Sequence, residues 1–189
     1  AQRAHNSARL AEEDAMRNAY IATFPTQESM KDYVIPAAIP YIIKARGNWK
    51  TIKAFVEKHA SDRVRALELL STLSDKDLRD MPMEILEDNM SAPSNQLSPR
   101  VENEMILKPF KHFFAKAFSK EAQTFKNNPA LLVNWIQKNI KMNPDKHAMR
   151  IPQTPISVWE CRVADDRSRD IFFVDVARSI GIDARKDAV

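Results

Sequence analysis

Two glycines serve a chain of 189 residues, where ordinary usage is roughly 7%. Two-residue hairpin turns need positive φ and draw heavily on glycine, so a chain this poor in glycine is a weak candidate for a sheet-rich fold. Helices need glycine only where they stop. The eleven prolines fall mostly between stretches of helical apolar spacing, where they start or end helices. The expectation is a mainly α protein of about eight to ten helices packed as an irregular bundle.

The helical spacing can be followed along the chain. Residues 7–24 read as a helix closed by Pro25, and Thr26 is a candidate cap for a short helix to Ile35 with Met30 and Val34 on one face. Gly47 suits the left-handed residue that closes a helix and Asn48 the cap of the next, which carries Trp49, Ile52, Phe55 and Val56. Asp62 is placed to cap a helix with Val64, Leu67, Leu70 and Leu73, and Ser74 to cap another through Leu78. Residues 91–98, Ser-Ala-Pro-Ser-Asn-Gln-Leu-Ser, have linker composition and divide a helical region, 1–92, from a second region, 99–189.

In the second region Ser98-Pro99 reads as a helix start leading to Val101, Met105 and Phe110, with a kink at Pro109. Asn128-Pro129 opens a helix with Leu131, Leu132, Trp135 and Ile136, and residues 142–153 read as a loop. Thr154-Pro155 caps a short helix, 164–167 reads as loop, and Ser168 begins a helix apolar on nearly every side, ended by Gly181. Such a helix belongs at the centre of a core. Residues 182–189 could start a strand.

Composition sets bounds on function. No window approaches ~20 uninterrupted apolar residues, so no transmembrane helix is expected. The first ten residues hold no apolar run of the kind a signal peptide needs. The net charge of +4 is mild. Residues 100–150 are more basic, with ten Lys/Arg against four acids, yet their phenylalanines sit at helical core spacing and no nucleic-acid motif accompanies them. Protein or peptide partners fit better than nucleic acid. The single cysteine, Cys161, allows no internal disulfide and no cysteine-based zinc site. Asp75, Asp77 and Asp80 lack the glycine of a hard-metal loop and suit a helix start. No cofactor or metal is implied.

The C-terminal segment carries a pattern. Arg178-Ser179-Ile180-Gly181-Ile182-Asp183-Ala184-Arg185 resembles the R-x-L-G-I-P-A-R that closes the core helix of transglutaminase-like proteins. The tryptophan helix at 131–140 is similar to one upstream of that core, and the segments around Arg46-Gly47-Asn48-Trp49 and 74–80 look like the helical N-terminal extension of bacterial envelope proteins that carry it. The resemblance implies the helical part of a truncated papain-like core, in a secreted or envelope protein. It places the nucleophile position on Asp166, where a carboxylate is a poor substitute for a thiol. Asp183 stands where the family has proline, and no histidine follows Gly181. The resemblance thus implies a transglutaminase-like fragment without catalysis of its own; the other reading is a helical protein-interaction module.

Three positions are candidates: Asp166 and Ser168 at the head of this helix, and Cys161 in the middle or C-terminal half of the short helix after Thr154. Ser168 reads as a helix cap or as a nucleophile backed by the helix dipole. Cys161 reads as a small buried hydrophobe or a displaced nucleophile. Asp175, inside the apolar run, either faces solvent, pairs with Arg178 or Ser179, or is buried and functional.

Overall fold

The computed structural model describes residues 2–106, 108–143, 145 and 151–187. Among them the chain is mainly helical: eleven α-helices and one two-stranded parallel ladder. It divides into two compact units, Ala1–Met83 and Glu84–Val189. The segment 91–98 therefore lies inside the second unit, and the division comes at residues 83–84, earlier than linker composition suggested. No helix is long and apolar enough to cross a membrane among the described residues.

The first unit holds α1 (Gln2–Ile21), α2 (Ile39–Lys44), α3 (Trp49–Lys58), α4 (Arg63–Ser71) and α5 (Asp75–Asp80). α1 buries none of its residues and is laced by Arg9–Glu13 and Arg17–Asp14 pairs. α3 packs on α2 and α4, and α2 on α5. Ile42, Ile52, Phe55, Val56, Ala66, Leu69 and Leu70 are fully buried. The stripe on α4 is thus Ala66, Leu69 and Leu70, with Leu73 buried just past the helix; Val64 is 74% exposed, and Asp62 stands at the cap position without a side-chain cap bond. Ser74 caps α5 by accepting from the Asp77 amide.

Two expectations for this unit are corrected. Residues 27–32 form turns and 33–35 no helix. Thr26 and Ser29 bond each other's backbone amides, and after one helical turn to Met30 the segment stops short of Pro36. At 46–48 a 3-10 turn leads into α3: Asn48 stands at the cap position, as expected, without a side-chain cap bond, but Gly47 is not the left-handed residue. The positive φ, 49°, belongs to Arg46. At Gly47 a Cβ would lie 2.8 Å from the hydroxyl at the tip of the exposed Tyr20 side chain, which would have to shift. The Asn48 amide, free of cap duty, donates to the carbonyls of Leu78 and Met81 and ties this turn to the end of α5.

The second unit is built around α11 (Asp166–Ser179), which packs against α7 (Lys111–Ala117), α9 (Ala130–Asn139) and α10 (Pro155–Cys161). α6 (Met83–Ser91), α8 (Ala122–Asn127) and the ladder β1 (Lys141–Met142) with β2 (Val163–Ala164) complete it. The expected central helix is found. Ile171, Phe172, Val176 and Ala177 are 0% exposed, and the last three share one core with Phe114 and Phe118 of the α7 side and Leu132 and Ile136 of α9. Burying each such aromatic contributes about 1.5–3 kcal/mol.

α11 ends in a full Schellman motif. Gly181, at φ 94°, stands just past the helix; the Ile182 amide donates to Ala177 and the Gly181 amide to Arg178.

Other local expectations for this unit are overturned. Residues 98–106, read as a helix, are irregular and run as a strap toward α7. The Ser98 hydroxyl bonds the Arg100 backbone, and the Glu104 carboxylate accepts from the Val101 and Glu102 amides, so side chains take donors a helix would use. The stretches read as loops around 142 and 164 hold the ladder, closed by Lys141 N to Arg162 O and Asn143 N to Ala164 O, both 2.8 Å. Residues 182–187 form no strand.

Candidate functional site

The head of α11 is set by Asp165. Its carboxylate accepts from the Ser168 amide at 2.6 Å, so Asp165 is the cap and Ser168 the third helical residue. This corrects the reading of Ser168 as the helix start. The Ser168 side chain is fully buried and its hydroxyl accepts from the Gln153 amide at 3.0 Å. That bond pins the segment before α10 to α11 and leaves the hydroxyl inaccessible to a substrate.

Asp166, where the resemblance would put the nucleophile, is exposed at the first turn of α11. It sits on the rim of an open groove of about 470 Å³. The groove floor is apolar, from Val133 and Ile136 of α9, Met142 of β1, and Phe173 and Val174 of α11. Its rim is charged with both signs: Asp166, Arg169, Asp170, Arg185, Lys186 and Asp187. Lys186 bridges Glu102 at 2.6 Å and Asp170 at 3.6 Å. Burial works against the charge of Glu102, but hydrogen bonds from Lys186 and Arg167 outweigh it and leave the carboxyl below its usual value.

Cys161 is exposed, which overturns the reading of a buried thiol. It is the last residue of α10, where a helix presents carbonyl oxygens, and Arg162 follows in a left-handed conformation at φ 57°. Its sulfur lies 4.0 Å from the Ser157 hydroxyl. A thiolate is favoured at the opposite end of a helix or beside a cation. Of the histidines, His112 lies exposed in α7 with its backbone amide bonded to Asp88, and His147 lies outside the described residues. No three His, Cys, Asp or Glu side chains group to hold a metal among the described residues.

Several residues that organise this unit carried no local signal. Asp88 of α6 accepts from the amides of Phe110, Lys111 and His112 at 2.8–2.9 Å and so caps α7 from outside. Asp183 accepts from the Ser94 hydroxyl and from the Asn95 backbone and side-chain amides at 2.8–3.1 Å. Trp135 and Trp159 stack at 5.8 Å and 8°, with the Arg162 guanidinium 4.0 Å over Trp159.

Asp175 neither faces solvent nor pairs: it is 0% exposed and both carboxylate oxygens lack a hydrogen-bond partner. The Ser179 hydroxyl donates to the backbone carbonyl of Asp175 instead.

Compared with family models, with curated proteins and with solved structures, the chain matches none. What the unit does must then be read from its own side chains.

Proposed function

We propose that the second unit is a transglutaminase-like scaffold that has given up catalysis. Asp166 carries this reading: it is the first residue of the buried helix that runs to Ser179 and is followed by Gly181-Ile182-Asp183-Ala184-Arg185, and the resemblance would put a thiol there. A carboxylate there can bind a cation or a donor, but it is a poor acyl-transfer nucleophile. The thiol present elsewhere, Cys161, sits at the carbonyl end of α10. The resemblance also suggests a secreted or envelope protein of a bacterium, with peptide or protein partners.

A second reading, a helical interaction module with no enzymatic ancestry, draws support from the groove along α11. Val133 and Met142 on its floor are 40% and 46% exposed, and apolar floor with charged rim is the anatomy of a peptide-binding surface.

The test is turnover. The whole chain is incubated with a glutamine peptide and a labelled primary amine, beside Cys161→Ser and Asp166→Cys. The proposal expects no incorporation above blank from the parent or from Cys161→Ser. Incorporation by the parent that disappears in Cys161→Ser overturns it. Incorporation appearing only in Asp166→Cys would give positive support to the transglutaminase-like reading over the interaction module.

A further inference from the structure

α11 carries Asp175 and Arg178 one turn apart, both buried, at 0% and 4% exposure. The expected partnership between them is not made. Arg178 Nε donates to the Ala184 carbonyl at 2.8 Å, and Nη1 to the carbonyls of Ser98 at 3.2 Å and Arg100 at 3.1 Å. One guanidinium thus fastens two segments to the helix: the strap before α7 and the tail after Gly181. The Asp175 carboxyl is left with no donor.

Three other charges act on Asp175: Arg178 on its own helix, Lys111 at the start of α7 and Glu104 in the strap. Lys111 Nζ reaches the Ser98 carbonyl at 3.4 Å, and Glu104 is held by the amides of Val101 and Glu102. A carboxylate with no donor in a dry interior is costly, and protonation relieves the cost.

We propose that Asp175 is a proton-controlled latch: while it keeps its proton, Arg178 holds the strap and the tail on α11, and when the proton leaves, Arg178 turns to the new anion one turn away and releases those carbonyls. The step is simple in balance. The carboxyl O–H breaks, the proton passes to water, and nothing is oxidised or reduced. Independent support comes from the electrostatics. Burial, and then the charge of Glu104, hold the Asp175 carboxyl well above the usual carboxylate range against the pull of Arg178 and Lys111. For an acid raised in the folded state, stability is complete below its unfolded value and is lost as pH rises through the folded one. The latch therefore opens toward alkaline pH.

Hydrogen exchange read by mass spectrometry tests this on the full chain, from mildly acidic pH up to the most alkaline pH at which circular dichroism still reports the native fold, with rates corrected for intrinsic exchange. In the parent, protection of peptides covering 98–104 and 182–187 should fall at least about tenfold across that window, while peptides of α9 keep theirs. Asp175→Asn, neutral and of equal size, should hold protection level. Arg178→Lys keeps the charge but cannot span three carbonyls, and should leave both segments open at every pH. Flat protection in the parent overturns the latch even if neither variant folds, and so does an equal fall in Asp175→Asn.

Discussion

The carboxylate of Asp88 and the amide of Lys111 lie 2.8 Å apart, across 23 residues of chain. With the neighbouring amides of Phe110 and His112, this gives α7 a cap that its own sequence does not supply. Asp88 is 7% exposed, so the amides would be stranded without it. Asp88→Ala should cost about 2–3 kcal/mol, as expected for a charged acceptor serving buried donors. Urea unfolding followed by circular dichroism measures it, and a loss below about 0.5 kcal/mol would mean water replaces the carboxylate.

Asp183 makes an unusual prediction, because the resemblance would put proline there. The carboxylate accepts three hydrogen bonds from Ser94 and Asn95, and proline offers no acceptor side chain. Introducing that proline with Asp183→Pro should therefore destabilise this unit by about 1–3 kcal/mol. Asp183→Asn, which keeps one acceptor oxygen, should lose less. A stabilised Asp183→Pro would show that the loop at 94–95 gains nothing from its anchor.

Gly181 separates backbone strain from crowding. A Cβ at this position would meet Lys126 and Pro93 at 3.5 Å, an ordinary contact, while φ is 94°. Gly181→Ala should thus lose about 1–2 kcal/mol from conformation alone. Asn tolerates such a φ better than Ala, so Gly181→Asn should fall between the parent and Gly181→Ala in thermal midpoint.

Tyr33 gives a spectroscopic signature in the first unit. Its hydroxyl lies 3.2 Å from Glu57, whose charge Lys53 supports at 2.6 Å. Burial, then the charge and hydrogen bond of Glu57, push the Tyr33 hydroxyl up to about 12 against the pull of Arg63. Tyr33 should therefore ionise late in an absorbance titration, toward about pH 12. Its raised value means that the contribution it makes to stability is whole below about pH 10 and is lost toward about pH 12. Tyr33→Phe should remove the late step; a titration unchanged by Tyr33→Phe would refute the assignment.

The parts of the fold that could be read in advance are those whose signal is local. α11 is apolar on most sides and closed by a glycine, so its place and its burial follow from periodicity. Ser74 and Thr154 cap the helices they precede, accepting from the Asp77 and Ser157 amides three residues on. At the head of α11 two capping residues, Asp165 and Ser168, stand three apart, and the choice between them was made elsewhere in the chain, by the Gln153 amide that takes the serine hydroxyl. The strap was misread because the Glu104 carboxylate reaches back to amides that Ser98-Pro99 would have started into a helix. The ladder has only two residues per strand, 22 apart in sequence, too short for alternation to show. Asp88, Asp183 and Asp175 act across the fold, and their surroundings carry no mark of it. The groove rim could be read only in part: Asp166 by the resemblance, the charges around it by no local pattern.

The claim that this unit holds no activated sulfur is tested most directly by alkylation of Cys161. Its rate with iodoacetamide is measured in the folded chain and in the same chain unfolded in urea, both near neutral pH. The thiol at the carbonyl end of α10 should react no faster folded than unfolded. A folded-state rate higher by about a hundredfold or more, the mark of a thiolate stabilised by its surroundings, would contradict the account.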